Sequence, residues 1–292
     1  MKNFDQVEKL KVTVLAEDSV MYESPYLGQH GLALLVQAWR GAETYTFLVD
    51  VAQHPDALIT NMELMHVDAS SIDAIVLTHC HYDHTRGLAH ILEHIGKTNV
   101  PVVAHRDIFR LHFVTSPYLQ HIGVRYEDAK ERIEAAGGVL FLTHEPLQLF
   151  PGVSTTGEVK RQTDFEDAGL DLKMLEQGKI QEDRLKDDIA VIANVKDKGL
   201  VILTGCSHAG IINIARFALE ITQHESIEGI VGGLHLIEAS EEKIKRTVIE
   251  LSKQGVKWIA AGHCTGFNAQ RGLSIKFGDR FTPLQTGMVI EI

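Results

Sequence analysis

One short segment, THCHYDH at residues 78–84, constrains this chain more than any other. It follows the wholly apolar run Ala74–Leu77, which predicts a buried strand. It carries four candidate metal ligands, His79, His81, Asp83 and His84. Side chains alternate along a strand, so the first two histidines should point the same way and the last two residues can face a second ion. A polar loop of hydrogen-bonded histidines is the alternative, but so dense a set of donors rarely arises for packing.

The second half of the chain repeats this order of strand, polar motif and then helix or loop. The run Leu200–Leu203 leads into TGCSHAG, Gly229–Val231 leads into GGLHL, and Trp258–Ala260 leads into AGHCTG. In layered α/β proteins, sites collect at the carboxyl ends of strands. The sequence therefore predicts one constellation, to which several separate strands each deliver a histidine.

The rest of the chain reads as alternating strands and helices. Further strands are predicted at Lys11–Leu15, Leu32–Trp39, Tyr45–Val51, Val102–Ala104, Ile189–Asn194 and Met288–Ile292. Helices are predicted at Pro55–Met65, Gly87–Ile95, Ile211–Thr222 and Glu241–Gln254.

Two stretches are less regular, and we expect flap or lid segments at residues 106–138 and 152–188. Asp107–Gly138 is predicted to be mostly helical, most clearly at Tyr126–Ala136. Gly152–Asp188 is predicted to be a long loop, with the charged run Glu182–Asp188 as its solvated face.

Composition limits the function classes. The 292 residues carry a net charge of −11, which disfavours binding to a phosphate backbone, so no nucleic-acid partner is expected. The charged N-terminal stretch does not resemble a signal peptide, and no run is long enough to span a bilayer, so no membrane partner is expected. Three cysteines do not suit a disulfide framework, which favours a reducing, cytoplasmic setting.

The motifs carry a resemblance to a known family. THCHYDHTRGL resembles the HxHxDH signature of the metallo-β-lactamase superfamily, and the strand that ends in Leu48-Val49-Asp50 resembles that family's strand with a terminal aspartate. The resemblance implies an α/β fold, a four-layer αββα sandwich with mixed sheets, formed by residues 1–292 as a single domain. It also implies that Asp50 orients a ligand and that His263, in AGHCTG, binds the second metal.

Within the superfamily, the sequence is most similar to one branch. The similar segments are TGEVKR (156–161), LTGCSHAGI (203–211), GGLHL (232–236) and GHCTG (262–266). The branch is named for 7,8-dihydropterin-6-methyl-4-(β-D-ribofuranosyl)aminobenzene 5'-phosphate synthase.

The chain departs from the family pattern at two positions. Glu158 stands where a histidine usually completes the first metal site, and Cys206 follows the place of the usual bridging aspartate. The resemblance then implies a first metal held by His79 and His81 together with His208 or Glu158. It implies a second metal held by Asp83, His84 and His263. Cys206 is either a ligand or a buried packing thiol.

Other polar residues have less specific signals. His235 follows two glycines and is either an acid or base that contacts substrate or a satisfied core histidine. Lys160 and Arg161 either bind an anionic group of the substrate or form a solvated pair. His105 ends a strand and stays open as a candidate, whereas His30, His112 and the remaining histidines show no ligand spacing.

These features predict a metal-dependent enzyme with a dinuclear centre and a small-molecule substrate. Zinc is the expected ion, with iron or manganese as alternatives. Asp83 would orient the nucleophile or accept its proton. The substrate would be a phosphorylated or ester-type metabolite, handled either by dihydropterin-type transfer or by hydrolysis of an ester, thioester or phosphoester. A non-catalytic metal or redox sensor that uses the three cysteines is the third hypothesis.

Overall fold

The structure, a computed structural model, describes residues 4–166 and 171–292. The strands of these residues are β1 (Lys9–Ala16), β2 (Ala33–Arg40), β3 (Glu43–Val49), β4 (Ala74–Val76), β5 (Val100–Ala104), β6 (Leu111–Val114), β7 (Gln120–His121), β8 (Gly138–Leu142), β9 (Gln148–Phe150), β10 (Val153–Thr155), β11 (Lys173–Glu176), β12 (Lys179–Glu182), β13 (Val191–Val195), β14 (Gly199–Thr204), β15 (Ile227–Gly233), β16 (Trp258–Gly262), β17 (Phe281–Pro283) and β18 (Val289–Glu291).

The α-helices are α1 (Pro55–Leu64), α2 (Tyr82–Thr85), α3 (Leu88–Ile95), α4 (Lys130–Ala135), α5 (Ile211–Thr222), α6 (Glu241–Lys253) and α7 (Phe267–Phe277). Short 3₁₀ turns occur at Ala69–Ser71, Tyr126–Asp128, His263–Thr265 and Gly278–Arg280. Helix α6 begins after Ser240, whose hydroxyl accepts the Lys243 amide. Within the described ranges, no helix combines the length and apolarity that crossing a bilayer would require.

Two large mixed sheets form the centre of the fold. One has the strand order β18-β1-β2-β3-β4-β5-β8, and the other has the order β17-β16-β15-β14-β13-β10-β9. In each sheet, the strands that lead into the histidine motifs have parallel neighbours: β4 runs parallel to β3 and β5, and β15 runs parallel to β14 and β16. On its other side, β14 pairs with β13 in the antiparallel sense. The carboxyl ends of the parallel strands therefore meet at one edge.

The strands at the centre of the sheets are buried on both faces, which explains why they are continuously apolar. In β14, Leu200 and Ile202 point to the core beneath α5, α6 and α7, whereas Val201 and Leu203 point to the core between the sheets. Strand β4 divides in the same way between the core between the sheets and the core beneath α1 and α3. The predicted four-layer αββα sandwich is therefore confirmed.

The prediction that Asp107–Gly138 is mostly helical was wrong. Only Lys130–Ala135 forms an α-helix, and the earlier part contains β6 and β7. Pro117 lacks an amide proton and interrupts any helix there. Strand β6 instead takes its backbone partners from β11, about sixty residues further along the chain, which the local pattern does not reveal.

The prediction of a long loop at Gly152–Asp188 was also wrong, because the described part of this stretch contains strands. Residues 167–170 lie outside the described residues. Strand β10 joins the second large sheet, and β11 and β12 form a hairpin. That hairpin extends β6 and β7 into a four-stranded sheet with the order β12-β11-β6-β7. Parts of the two expected flap segments, β6 and β7 of the first and β11 and β12 of the second, thus form one sheet.

The charged run Glu182–Asp188 is not a solvated face as predicted. Three of its carboxylates are buried, namely those of Asp183, Asp187 and Asp188. Each of the three has a polar partner. Asp183 pairs with Arg110 of the segment before β6, and Asp188 accepts the Ala209 amide just past β14. Buried carboxylates persist only where they are paired or hydrogen-bonded, so this run fastens the small sheet to the core.

Candidate metal centre

The site is assembled from the carboxyl ends of strands in both large sheets. The THCHYDH segment follows β4 of the first sheet, while Cys206 and His208 follow β14 of the second. His235 follows β15, and His263 follows β16. The structure thus brings together most of the residues that the motifs predicted, as parallel strand ends should.

The first group of converging donors is Asp83, His84, Cys206 and His263. All four are buried, and one potential ligand atom from each lies within 4.8 Å of the others. The Nε2 atom of His84 lies 3.2 Å from both His263 Nε2 and Cys206 Sγ. The Asp83 Oδ2 atom lies 3.3 Å from His263 Nε2. Two imidazoles, a carboxylate and a thiol that converge in this way fit a divalent cation.

The second group of donors is His79, Cys206 and His208, again within 4.8 Å of one another and buried. Cys206 Sγ belongs to both groups, so it lies between them. The His81 ring centre lies 4.7 Å from those of both His79 and His208. The His81 Nε2 atom, however, lies 2.9 Å from His112 Nε2. Nδ1 is therefore the ring nitrogen of His81 that remains available to bind a metal.

Unsatisfied nitrogen atoms supply the test of whether these residues fit a metal. His79 Nε2 and both ring nitrogens of His208 are buried and have no hydrogen-bond partner within the described part of the chain. An unpaired buried polar atom costs about 1–3 kcal/mol, so such atoms need an explanation. The donor set fits a metal ion because coordination would satisfy His79 Nε2 and one ring nitrogen of His208.

Burial also sets the protonation of these histidines. Burial lowers the pKa of His79 and His208 well below the usual value, and it lowers the pKa of His81 to about 3. All three are therefore neutral at pH 7, the form that ligates a metal. Burial also acts to lower the pKa of His84, but the carboxylates of Asp83 and Asp50 outweigh it and raise that pKa to about 9. A cation bound at His84 would displace that proton.

A second layer of polar groups holds the donors in place. Asp50 is fully buried and accepts hydrogen bonds from the Thr78 amide and hydroxyl, each at 2.7 Å. It also lies 2.7 Å from His84 Nδ1, which directs the Nε2 atom of that ring towards the cluster. A carboxylate in this position can orient the His84 ring, which is the role that the family resemblance implies for Asp50. Asp18 acts similarly on His263, whose Nδ1 lies 2.6 Å from Asp18 Oδ2.

His112, which sequence spacing did not indicate, forms a chain of contacts that ends at His81. Its Nδ1 atom lies 2.7 Å from Asp183 Oδ2, and Asp183 also accepts the Arg110 guanidinium. Arg110 pairs with Asp187, whose other oxygen accepts the Cys80 amide. The small four-stranded sheet is thereby connected to the metal-site segment at two points.

We expect Asp183→Asn to destabilise the protein by about 3 kcal/mol at neutral pH, because it removes the buried carboxylate that His112 and Arg110 share and leaves Arg110 paired with Asp187 alone. Burial alone would raise the pKa of Asp183, but the hydrogen bonds from His112 and Arg110 outweigh it and hold that pKa below its usual range. The carboxylate therefore stabilises the fold above the unfolded-state pKa of about 3.9, and this contribution is lost as the pH falls below that value.

Urea unfolding of wild type and Asp183→Asn across a pH series checks this expectation. The difference in the free energy of unfolding should be constant near neutrality and should shrink below about pH 4. Asp56→Asn is the matched control, since the Asp56 side chain is 91% exposed. A difference that stays unchanged down to low pH would contradict the assignment.

Three predicted residues do not reach the cluster. Glu158 Oε2 lies 3.6 Å from His105 Nε2, so the alternative in which Glu158 completes the first metal group does not match its position. Lys160 pairs with Glu220 on α5. Arg161 donates to the carbonyls of His208 and Arg184, so it braces the segment that carries His208 instead of facing the cavity.

The donors open into a cavity of about 310 Å³. His81, Asp83, Cys206, His208, His235 and His263 line it, together with Asp18, His30, Tyr82, Ile122, Ile237, Glu238 and Cys264. His30 was not expected here. Its Nδ1 atom lies 2.9 Å from Asp18, and its Nε2 atom lies 3.4 Å from Asp83 Oδ2. Only the folded chain reveals this placement, since nothing in the local sequence around His30 marks it.

Comparison with known proteins identifies the family. The family model described as "Metallo-beta-lactamase superfamily" matches residues 29–162. A 7,8-dihydropterin-6-methyl-4-(β-D-ribofuranosyl)-aminobenzene-5'-phosphate synthase from Methanocaldococcus jannaschii is 37% identical, over 100% of this chain and 99% of the relative. The chain belongs to the metallo-β-lactamase superfamily. A second protein of that organism, the uncharacterized MJ0448, is 31% identical over 88% of this chain and 91% of its own.

Solved structures agree on the metallo-β-lactamase fold. Tm1679, described as a metal-dependent hydrolase of the β-lactamase superfamily, superposes with a TM-score of 0.80 at 21% identity, over 97% of this chain and 99% of its own. The metallo-β-lactamase fold protein YhfI from Bacillus subtilis gives a TM-score of 0.55 at 14% identity, over 98% and 100% of the two chains. At these identities, the likeness concerns the fold alone.

Proposed function

We propose that this chain is a metal-dependent transferase that joins a dihydropterin to an aromatic amine at a dinuclear centre. The observation that carries the proposal is the meeting of two buried donor groups at the Cys206 sulfur, in one open cavity. His79, His81 and His208 would hold the first cation, and Asp83, His84 and His263 the second, with Cys206 shared between them. A mixed set of nitrogen, oxygen and sulfur ligands favours zinc, with iron or manganese as alternatives.

The cavity lining suits an aromatic substrate, and bound cations would be needed to attract an anionic group. Tyr82, Ile122 and Ile237 provide apolar surface against which a planar ring can lie. No lysine or arginine is among the described residues that line the cavity. When bound, the cations would supply the positive charge and Lewis acidity that a phosphate or diphosphate leaving group requires.

The substrate class follows from the M. jannaschii relative, whose name specifies a dihydropterin methyl group linked to a ribofuranosyl aminobenzene phosphate. In the proposed reaction, the bond between the pterin methylene carbon and a diphosphate oxygen breaks, and a bond from that carbon to the aromatic amine nitrogen forms. The diphosphate leaves with the bonding electron pair, and the amine loses one proton.

Two residues are proposed to act directly on the reacting groups. The Asp83 carboxylate lines the cavity and lies within 3.4 Å of His30 and His84, so it would orient the attacking amine and accept its proton. His235 lines the cavity beside His208, with ring centres 4.0 Å apart, and its Nδ1 atom has no hydrogen-bond partner among the described residues. It would contact the substrate or exchange a proton with it.

A direct assay separates transfer from hydrolysis. The zinc-loaded protein is incubated with a 6-methylene-dihydropterin diphosphate and 4-(β-D-ribofuranosyl)aminobenzene 5'-phosphate, and products are followed by mass spectrometry. The coupled product, formed with equimolar diphosphate, supports the proposal. Diphosphate release with formation of the hydroxymethyl pterin, at the same rate with and without the amine, would instead make the protein a hydrolase. Metal binding without turnover, together with metal loss on mild oxidation, would favour a sensor.

Cys206→Ser is expected to reduce the preference for zinc or cadmium over manganese by at least about 10-fold, because serine offers a hard oxygen in place of a soft thiolate. Competitive metal titrations followed by elemental analysis measure this preference. Cys80→Ala is the control, because the Cys80 side chain packs in the core beneath α1 and α3. An unchanged metal profile in Cys206→Ser would make Cys206 a packing residue.

A further inference from the structure

A third set of donors lies in the wall of the same cavity, on the side of the second sheet. The potential ligand atoms of Cys206, His235 and Cys264 lie within 4.8 Å of one another. They follow β14, β15 and β16, three adjacent parallel strands, so the fold fixes their backbones relative to one another. Cys264 has no part in the dinuclear centre proposed above, and this set therefore needs its own explanation.

Local structure makes room for the two thiols. An added Cβ at Gly233 would lie 2.6 Å from Cys264 Sγ, so a larger residue there would displace the sulfur. The Cys264 thiol donates to the Cys206 carbonyl at 3.5 Å, and the His235 amide donates to Cys264 Sγ at 3.3 Å. These weak contacts orient the Cys264 sulfur, but they do not account for two thiols and an imidazole that converge.

An unsatisfied atom at this position points to a ligand. His235 Nδ1 is buried and has no hydrogen-bond partner in residues 4–166 and 171–292. Such an atom is costly unless something binds it. The cavity opens beside all three residues, so a small ion can enter without any rearrangement of the core.

We propose that Cys206, His235 and Cys264 form a binding site for a thiophilic cation such as Zn²⁺ or Cd²⁺. Two thiolates and one imidazole are a soft donor set, whereas Mg²⁺ and Mn²⁺ prefer oxygen ligands and should not occupy it. The site goes beyond the proposed transfer reaction, and its defining ligand is Cys264. A cation bound at His235 Nδ1 would exclude the proton exchange proposed above for that atom, so the two roles belong to different states of the protein. Because Cys206 is common to this site and to the dinuclear centre, a soft cation held here is linked to that centre through one sulfur.

Cadmium titration of the full chain tests the site. The protein is first stripped by chelation, and thiolate-to-cadmium charge-transfer absorbance is recorded for wild type, Cys264→Ala and the control Cys80→Ala. We expect the saturated absorbance of Cys264→Ala to fall measurably below that of wild type, since the Cys264–cadmium bond is lost while cadmium still binds Cys206, and Cys80→Ala should stay at the wild-type level. An equal absorbance in Cys264→Ala and wild type would overturn the proposal.

A second measurement uses the wild-type protein and so does not depend on how a variant folds. Iodoacetamide labelling is followed for each cysteine by mass spectrometry, with Cd²⁺, with Mg²⁺ or without added metal. We expect Cd²⁺ to slow the labelling of both Cys206 and Cys264 at least about 10-fold, and Mg²⁺ to leave it unchanged. Protection of Cys206 alone would contradict this proposal but would remain consistent with the proposed dinuclear centre. Neither experiment depends on turnover, so failure of the proposed reaction remains a separate result.

Discussion

Replacing His79 with alanine is expected to lower metal affinity by at least about 100-fold, because even groups that only orient a metal ligand contribute about 10–100-fold. The fold should remain, since His79 Nε2 makes no hydrogen bond within the described residues and its Nδ1 has only the neighbouring Thr78 hydroxyl. Elemental analysis after chelation and reloading gives the metal content, and circular dichroism reports the fold.

The control for this variant is His94→Ala, a histidine exposed on α3. It should keep the metal stoichiometry of the wild type. If His79→Ala retained full metal stoichiometry and affinity, His79 would not be a ligand, and the assignment of the first cation would have to be withdrawn.

The second large effect is expected for Gly31→Ala, which should destabilise the protein by about 3 kcal/mol or more. Gly31 has a φ of +111°, and an added Cβ would lie 1.9 Å from the Asp83 carbonyl oxygen. Backbone cannot move aside as a flexible side chain can, so the segment that carries Asp83 and His84 must shift. We therefore expect lower metal affinity as well as a lower free energy of unfolding.

Gly199→Ala separates the two causes of the stability loss in Gly31→Ala, which are backbone strain at a positive φ and the clash with the Asp83 carbonyl oxygen. Gly199 has a similar φ, +115°, but an added Cβ there meets nothing within 4 Å. It should cost only the backbone strain, about 1–2 kcal/mol, and should leave metal binding unchanged. Urea unfolding of both variants provides the comparison, and equal losses would show that the contact with Asp83 is not the cause.

Much of the site was predictable because its donors are local in sequence. His79, His81, Asp83 and His84 stand within one segment after a buried strand. The later histidines each follow an apolar run that forms one of the parallel strands. Strand ends converge in an α/β layer, so the motif positions alone predicted that His208 and His263 would join them. The burial of the central strands on both faces likewise follows from their continuously apolar sequences.

The missed residues depend on contacts between distant parts of the chain. His112 reaches His81 only because β6 pairs with β11, and its partner Asp183 is 71 residues away in sequence. The burial of Asp183 could not be inferred from a run of charges, since such a run also suits a solvated face. Asp18 and His30 belong to the loop after β1, which carries no ligand spacing of its own.

Glu158 was predicted as a possible metal ligand from its place in a motif, but its position in the fold does not fit that role. It occupies the family's place for a histidine, yet its carboxylate lies against His105. The turn at Gly157, with a φ of +66°, packs closely against the backbone of residues 144–146 and sets the direction in which the chain leaves β10. Such packing is a property of the folded chain and is invisible in a motif of a few letters.

The two large sheets come from successive halves of the sequence, apart from the closing strand β18. Donors of the proposed centre are drawn from both: Asp83 and His84 lie beyond β4, and Cys206 and His263 lie beyond strands of the other sheet. An ion coordinated by all four residues would cross-link the two halves of the chain. Since it binds the native arrangement and not the open chain, its free concentration would become a variable of the folding equilibrium itself.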